Sequence, residues 1–393
     1  MKRASMDPDG WLSRILLCFA ATAGIMYVNI MPALVDALQA GLSFSQQQSG
    51  RIGSLNTYGG AFGALLMAFM AARLPWRRTL LVLSLLLVVM DYSCLHVTHA
   101  GTMMLLRFIH GLFGGSMVGM AFFIVARNLN PSRTFGILMV LQYGLYMVTI
   151  EIMPALVRSS GIGALFHFLM VFSGITFLFI LAMPEYPLRS VPVAGADRAV
   201  VRNLPTMRLL AMLSVLLFQT GNMSVNAYIV GLGQHAGLDL GYISDSLSIS
   251  GLAGLLGGVF AMFMPTRWGL EKPIVVSMLL ATVSVLGVLF AGNHLLWLVS
   301  NMVNGMAWAL VLSLLFGMCA CFDLTGKSAV WSGFMSKLGL ASGPLLGSFV
   351  LGSQWHYAGL IVMGAALVFL GLLASLVPSR SADRVASLVD PTA

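Results

Sequence analysis

"TRWGLEKPI", Thr266 to Ile274, sits between two long apolar runs and places Arg267, Glu271 and Lys272 within six positions. Only 9% of the chain is charged, so such a cluster needs a reason. A second stretch, "ARLPWRRTL", Ala72 to Leu80, interrupts the apolar sequence in the same way. Aligned, Arg73 falls on Arg267, Pro75 on Gly269 and Arg78 on Lys272. The offset is 194 positions in a chain of 393, close to half, so the sequence reads as one unit written twice.

The rest of the chain says what that unit is made of. Hydrophobic residues make up 59% of it, against about 45–50% in soluble domains. Mean hydropathy is +0.92. A chain of this kind cannot hide its apolar surface from water, so the expected solvent is lipid. Runs of about 20 apolar residues match the hydrocarbon thickness at 1.5 Å per residue. Twelve such runs are present, at 13–38, 49–72, 78–98, 102–126, 133–156, 162–183, 208–233, 242–265, 273–291, 294–320, 328–351 and 354–377. The expected fold is therefore an all-α integral membrane protein with twelve transmembrane helices in two pseudo-symmetric six-helix bundles.

A net charge of +8 would suit nucleic acid, but the placement of the charges argues otherwise. With the N-terminus inside, 17 of the 21 Lys and Arg residues fall in inside segments, and the outside loops hold only Arg158. Such asymmetry is a topology signal that places both termini in the cytoplasm. The basic start of the chain resembles a signal peptide, but its apolar run continues through Leu38 and reads as a retained first helix. Cys18, Cys94, Cys319 and Cys321 all fall in or at the ends of predicted helices, as small packing residues. No metal or cofactor is expected.

The segment "PEYPLRSVPVAGADRAVVRNLP", Pro184 to Pro205, breaks the pattern with four prolines and mixed charge. It divides the chain into an N-terminal bundle at 1–183, a linker at 184–206, a C-terminal bundle at 207–378 and a tail at 379–393. Moving 194 positions along, Ser54, Gly60 and Gly63 land on Ser248, Gly254 and Gly257, and Gly111 lands on Gly305.

Two parallel six-helix halves joined by a linker resemble the major facilitator superfamily of transporters, over about residues 11 to 378. The family's motif between its second and third helices is a Gly, an Asp, an Arg, then Gly-Arg-Lys/Arg. Arg73 and Arg78 keep the basic part, with Ala72 in the acidic place and Pro75 for the glycine. The second copy keeps Arg267 and Gly269, with Thr266 where the acid would be. The resemblance implies that Arg73, Arg78, Arg267 and Lys272 form a conformational latch between helices on the cytoplasmic side. "RFIHGLFGG" looks like the family's Arg-x-x-x-Gly pattern in its fourth helix, with Arg107 and Gly111. "GLASGPLLG", Gly339 to Gly347, has the spacing of the family's antiporter motif but lies in the eleventh predicted helix rather than the fifth, so transport direction stays open.

A charge at the bilayer centre costs about 2.5–3.5 kcal/mol on insertion scales, so buried charges line cavities or pair with one another. Arg107 and Glu151 are read as cavity residues. Arg51 and Asp36, near the outer ends of their helices, suit interfacial positions as well as ion pairs, and Asp91 is left unassigned. Lys337 falls about ten residues into its helix with no carboxylate within four positions. Its amine calls for an anion from another helix, Glu151 or Asp245, or from the solute itself. Neutral polar residues gather at matching depth: Tyr27 and Asn29, Asn56 and Tyr58, Gln142, Tyr143 and Tyr146. Gln219, Asn222 and Asn226 share one helical face, as do Asn301, Asn304 and Trp308.

Lys337, Arg107, Asn29, Tyr143, Tyr146, Gln219, Asn222, Asn226, Asn304 and Trp308 are the expected solute-binding residues. Glu151, Asp245 and His110 are the candidates for proton coupling. There is no GxxxxGK[ST] phosphate loop, so ATP is not the direct energy source, and no HExxH or GxSxG pattern suggests an enzyme. The expected function is alternating-access transport of a small, anionic organic solute with protons, by a monomer in a bacterial inner membrane. Proton-driven export of amphipathic compounds is the alternative, and a non-transporting receptor on the same fold is a third reading.

Overall fold

The computed structural model describes residues 6–30, 34, 37, 38, 41–44, 46–186, 198–264, 268–322, 327–351 and 356–389. Asp36, Arg267 and positions 187–197 of the linker lie outside these residues, and so does the side chain of Glu151. The regular elements described are all helical. They are α1 Trp11–Ala23, α2 Met26–Asn29, α3 Gln46–Met70, α4 Trp76–Cys94, α5 Ala100–Val125, α6 Pro131–Ser160 and α7 Gly163–Ala182. There follow α8 Arg198–Asn226, α9 Ile229–His235, α10 Leu240–Phe263, α11 Glu271–Gly287, α12 His294–Cys321, α13 Lys327–Leu351 and α14 His356–Val389. Helix is the structure that lipid demands, because each segment must satisfy its own backbone N–H and C=O groups.

Nine of the described helices are long and apolar enough to cross a membrane. The expected count of twelve is not reached among the described residues, and the shortfall has identifiable sources. Helix α1 is 13 residues long. Helix α4 carries Arg77, Arg78 and Asp91 in 19 residues. Helix α6 contains positions whose side chains are not described. The large apolar residues that remain exposed, such as Leu178 at 63% and Val283 at 65%, face outward where lipid would lie.

The chain forms two compact units. The first comprises Met1–Leu129, Gly144–Leu188 and Thr325–Phe334; the second comprises Asn130–Tyr143, Arg189–Leu324 and Met335–Ala393. In the first unit α5 is the hub, packed on α1, α3 and α4, while α7 packs on α1 and α4. In the second unit α12 takes the same place against α8, α10 and α11, and α14 packs on α8 and α11. Each of these pairings of the first unit therefore recurs seven helices later.

The recurrence holds at the level of atoms. A Cβ on Gly111 would fall on the carbonyl of Asn56, and one on Gly305 would fall on the carbonyl of Ser250. A Cβ on Gly63 would strike the carbonyl of Leu112, and one on Gly257 that of Met306. Both residues of each contact shift by the same 194 positions. Glycine is needed here because the two backbones touch, the arrangement by which membrane helices gain packing contacts. The Gly339, Gly343 and Gly347 stripe serves the same end, lying against Gln219 and Met223 of α8 and Tyr228 just beyond it. Its motif-like spacing thus coincides with a helix contact.

One difference from the sequence reading concerns the tail. Helix α14 does not stop at Pro378 but runs through it to Val389. Its extension carries Arg380 and Asp383 to the start of α11, where Arg380 Nε meets Glu271 Oε1 at 2.6 Å. Asp383 accepts from the backbone N–H groups of Leu270 at 2.6 Å and Glu271 at 3.1 Å.

Candidate functional site

The first unit holds a closed polar cluster between α2, α3, α4 and α5. Arg107 is 0% exposed, and its Nη2 donates to Asp91 Oδ1 at 3.0 Å. Tyr27 and Phe166 flank the guanidinium, with ring centroids 5.6 and 4.8 Å away. His110, one turn along α5, brings Nε2 to 3.4 Å from Asp91 Oδ2. Asn56 reaches across from α3, with Nδ2 donating to the Arg107 carbonyl at 2.9 Å and lying 3.0 Å from His110 Nδ1. A buried arginine and a buried carboxylate neutralise each other here, which lets both remain charged away from water. Two donors of the guanidinium, Nε and Nη1, have no hydrogen-bond partner among the described residues.

This places Arg107 differently from its expected role. It faces a carboxylate already present in the protein. Its partner is the residue that the sequence left unassigned. Asp91 and Arg107 both lie within about two turns of the short α4–α5 connection, so their spacing carried a signal for the pair.

The second unit gathers the other polar groups along the contact of α8 with α12. At one level Trp308 Nε1 donates to Gln219 Oε1 at 2.8 Å, and Gln219 Nε2 donates to Ser336 Oγ of α13 at 2.8 Å. Tyr143 of α6 meets the Trp308 ring edge to face, centroids 5.8 Å apart at 83°. Lys337, next in sequence to Ser336, is buried at 9% exposure and has no hydrogen-bond or ion-pair partner among the described residues. One turn further along both helices, Asn222, Asn226, Asn301 and Asn304 line a cavity of about 10 Å³ that is large enough for about one water molecule. Asn222 Oδ1 is buried without a hydrogen-bond partner among the described residues.

Tyr143, Gln219 and Trp308, three of the expected solute-binding residues, are therefore neighbours, with Ser336 as a further member of the group. Asn222, Asn226 and Asn304 form the adjoining level. Asn29 is half-buried near Met26 Sδ at 3.9 Å, and Tyr146, also half-buried, belongs to the first unit. Asp245 is exposed near the start of α10 and is not among the ion pairs described. Arg73, Arg78 and Lys272 are exposed.

A sequence profile of the Major Facilitator Superfamily matches residues 16–322. Among solved structures, the fold is similar to the transporter FucP in its outward conformation, at TM-score 0.72 and 14% identity over 94% of this chain and 98% of that one. A variant of the same E. coli fucose:proton symporter gives 0.73 and 13% over the same shares. The proton:xylose symporter XylE bound to 6-bromo-6-deoxy-D-glucose gives 0.69 and 14% over 92% and 93%. No curated protein matches the chain by sequence.

Proposed function

The chain belongs to the major facilitator superfamily of membrane transporters, and on that premise we propose that it moves a small organic anion together with protons by alternating access. The observation that carries this reading is Lys337: a buried ammonium with no anionic partner among the described residues, next in sequence to Ser336 of the hydrogen-bonded Ser336–Gln219–Trp308 chain. An ammonium in such a place is completed by a carboxylate or similar group on the solute. Gln219 and Ser336 then offer donors and acceptors to its polar part, and Trp308 and Tyr143 an aromatic wall. The Asp91–Arg107–His110 cluster is the proton-linked element, because its two acid–base side chains share a closed network with a fixed positive charge. Glu151 and Asp245 remain further candidates for that role. The basic residues on one set of loops support cytoplasmic termini.

Counterflow uptake into proteoliposomes tests the reading, with a panel of radiolabelled organic acids set against neutral monosaccharides. Monosaccharides belong in the panel because FucP and XylE are described as sugar:proton symporters. The expected result is uptake of one or more acids that rises with an inward proton gradient and is lost in Lys337→Ala. Transport of neutral sugars alone, unchanged in Lys337→Ala, would reject the anion.

A further inference from the structure

The two halves share one inter-helix bond and differ in what is attached to it. In the first unit Asn56 Nδ2 donates to the carbonyl of Arg107. In the second unit Ser250, 194 positions on, donates from Oγ to the carbonyl of Asn301 at 2.6 Å. Asn301 is the repeat equivalent of Arg107, so a single donor is enough to join these helices in either half.

A serine hydroxyl has one proton to give, whereas a primary amide has two. The second N–H of Asn56 goes to His110 Nδ1 at 3.0 Å. The repeat equivalent of His110 is Asn304, and Ser250 has no second proton for it. The extra donor is thus present in the half that contains the imidazole.

The amide orientation follows from chemistry. The Arg107 carbonyl can only accept, so the Asn56 atom facing it is nitrogen, and that same nitrogen faces His110 Nδ1. Nδ1 must then be the lone-pair nitrogen. The ring's proton then lies on Nε2, the nitrogen nearer Asp91, 3.4 Å from an Oδ2 that makes no hydrogen bond among the described residues. We infer that Asn56 is a positioning residue for proton coupling: it holds His110 in the Nε2–H tautomer and closes Nδ1 to a proton. A proton enters Nδ1 once the amide turns its oxygen to the ring, and that turn gives up the bond to the Arg107 carbonyl. Protonation of His110 is thereby tied to the α3–α5 contact. This rests on the reading that the cluster carries the coupled proton.

The groups around the ring act with it. Tyr27 of α2 stands 6.1 Å away between ring centroids, and Asp91 of α4 faces Nε2. Cys94, also of α4, lies beside the guanidinium of Arg107. From α3 comes the neutral Asn56.

The full-length protein in nanodiscs, labelled with 15N in histidine, tests the assignment without any solute. Difference spectra against His110→Gln identify the His110 signals. The wild type should show the Nε2–H tautomer at mildly alkaline pH. Asn56→Ser, which copies the second half and keeps the helix bond, should mix the tautomers. With no N–H facing Nδ1, the fraction of doubly protonated ring at a given pH should rise severalfold, and the pH profile of uptake should move to higher pH. In the His110→Gln background, Asn56→Ser should leave the uptake profile where it is. An Nδ1–H tautomer in the wild type, or ring signals unmoved by Asn56→Ser, would overturn the inference. Uptake by the wild type that ignores a proton gradient, with ring signals as expected, would instead overturn the coupling reading beneath it.

Discussion

Glu271 at the start of α11 pairs with Arg380 in α14 at 2.6 Å, and the first unit holds a pair of reversed polarity in the matching place. There Arg77, the repeat equivalent of Glu271, meets Glu185 at 2.9 Å. Arg380 stands one residue beyond the equivalent of Glu185. Each unit thus ties the start of one helix, α4 or α11, to chain at the far end of another, after α7 or late in α14, with the signs exchanged. Part of the charge in "TRWGLEKPI" is explained by this: Glu271 is there for the tail. The second half adds Asp383, which accepts from the N–H groups of Leu270 and Glu271. Leu270 occupies the N-cap of α11 and has no side chain able to cap it, so a residue more than a hundred positions away does so.

Asp383→Ala should therefore lower stability by about 1 kcal/mol, the usual cost of a lost N-cap. The Glu271–Arg380 pair is partly exposed and contributes at most about 1 kcal/mol. Glu271→Arg alone should lower the melting temperature, and the swap Glu271→Arg with Arg380→Glu should recover it. Melting curves in detergent decide the matter: an Asp383→Ala protein as stable as wild type would remove the cap.

Gly111 and Gly305 make a paired test of the repeat. Any side chain at either must displace a neighbouring backbone carbonyl, that of Asn56 or of Ser250. Gly111→Ala and Gly305→Ala should each cost about 1–3 kcal/mol, as overpacking does. Gly174 in α7 has nothing within 4 Å of an added Cβ, so Gly174→Ala is the control and should be neutral. Equal thermal midpoints for all three variants would mean that these helices are not held in contact at the glycines.

The duplication was legible because it depends on spacing, and spacing is what a sequence records. Loop charges and glycines 194 positions apart predicted contacts that recur with the same shift. That the helix of Lys337 offers it no acid was legible too. The Arg107–Asp91 pair was not assigned, because it depends on which helix faces contact one another across a turn. The clasp on α11 was hidden by Pro378, which reads as the end of a span. A proline is tolerated inside a membrane protein's helix where neighbouring groups satisfy the freed carbonyl, and α14 continues past it. Ser336 was missed for a simpler reason, since it is one of five serines on α13 and nothing in the sequence sets it apart.

The Arg107–Asp91 pair separates charge from packing. Asp91→Asn leaves a buried guanidinium without its counter-charge, and Arg107→Met leaves a buried carboxylate, so each should cost about 3–5 kcal/mol. The double replacement Arg107→Met with Asp91→Leu removes both charges and should recover most of that loss. Proton-driven uptake should stay absent in the double variant if the cluster carries the coupled proton. Melting and uptake measured on the same preparations check both halves of the claim. A double variant that melts like wild type and still responds to a proton gradient would free the cluster from coupling.

Lys337 gives the opposite sign. Its ammonium is buried and has no partner among the described residues, so the empty protein bears a desolvation cost that a counter-ion does not offset. Lys337→Met keeps the length of the side chain and removes the charge. That variant should be at least as stable as wild type, and more stable by about 0.5–2 kcal/mol if the gain is like that of other substitutions at strained functional sites. It should also lose uptake of the anionic solute, and Lys337→Arg should keep part of the binding, since the charge survives in a different geometry. A structural salt bridge would behave in reverse, because removing one partner of a buried pair destabilises by several kcal/mol. The thermal midpoint of Lys337→Met, measured beside its uptake, therefore distinguishes the two: a fall in stability would identify a protein carboxylate as the partner and take the solute out of that role.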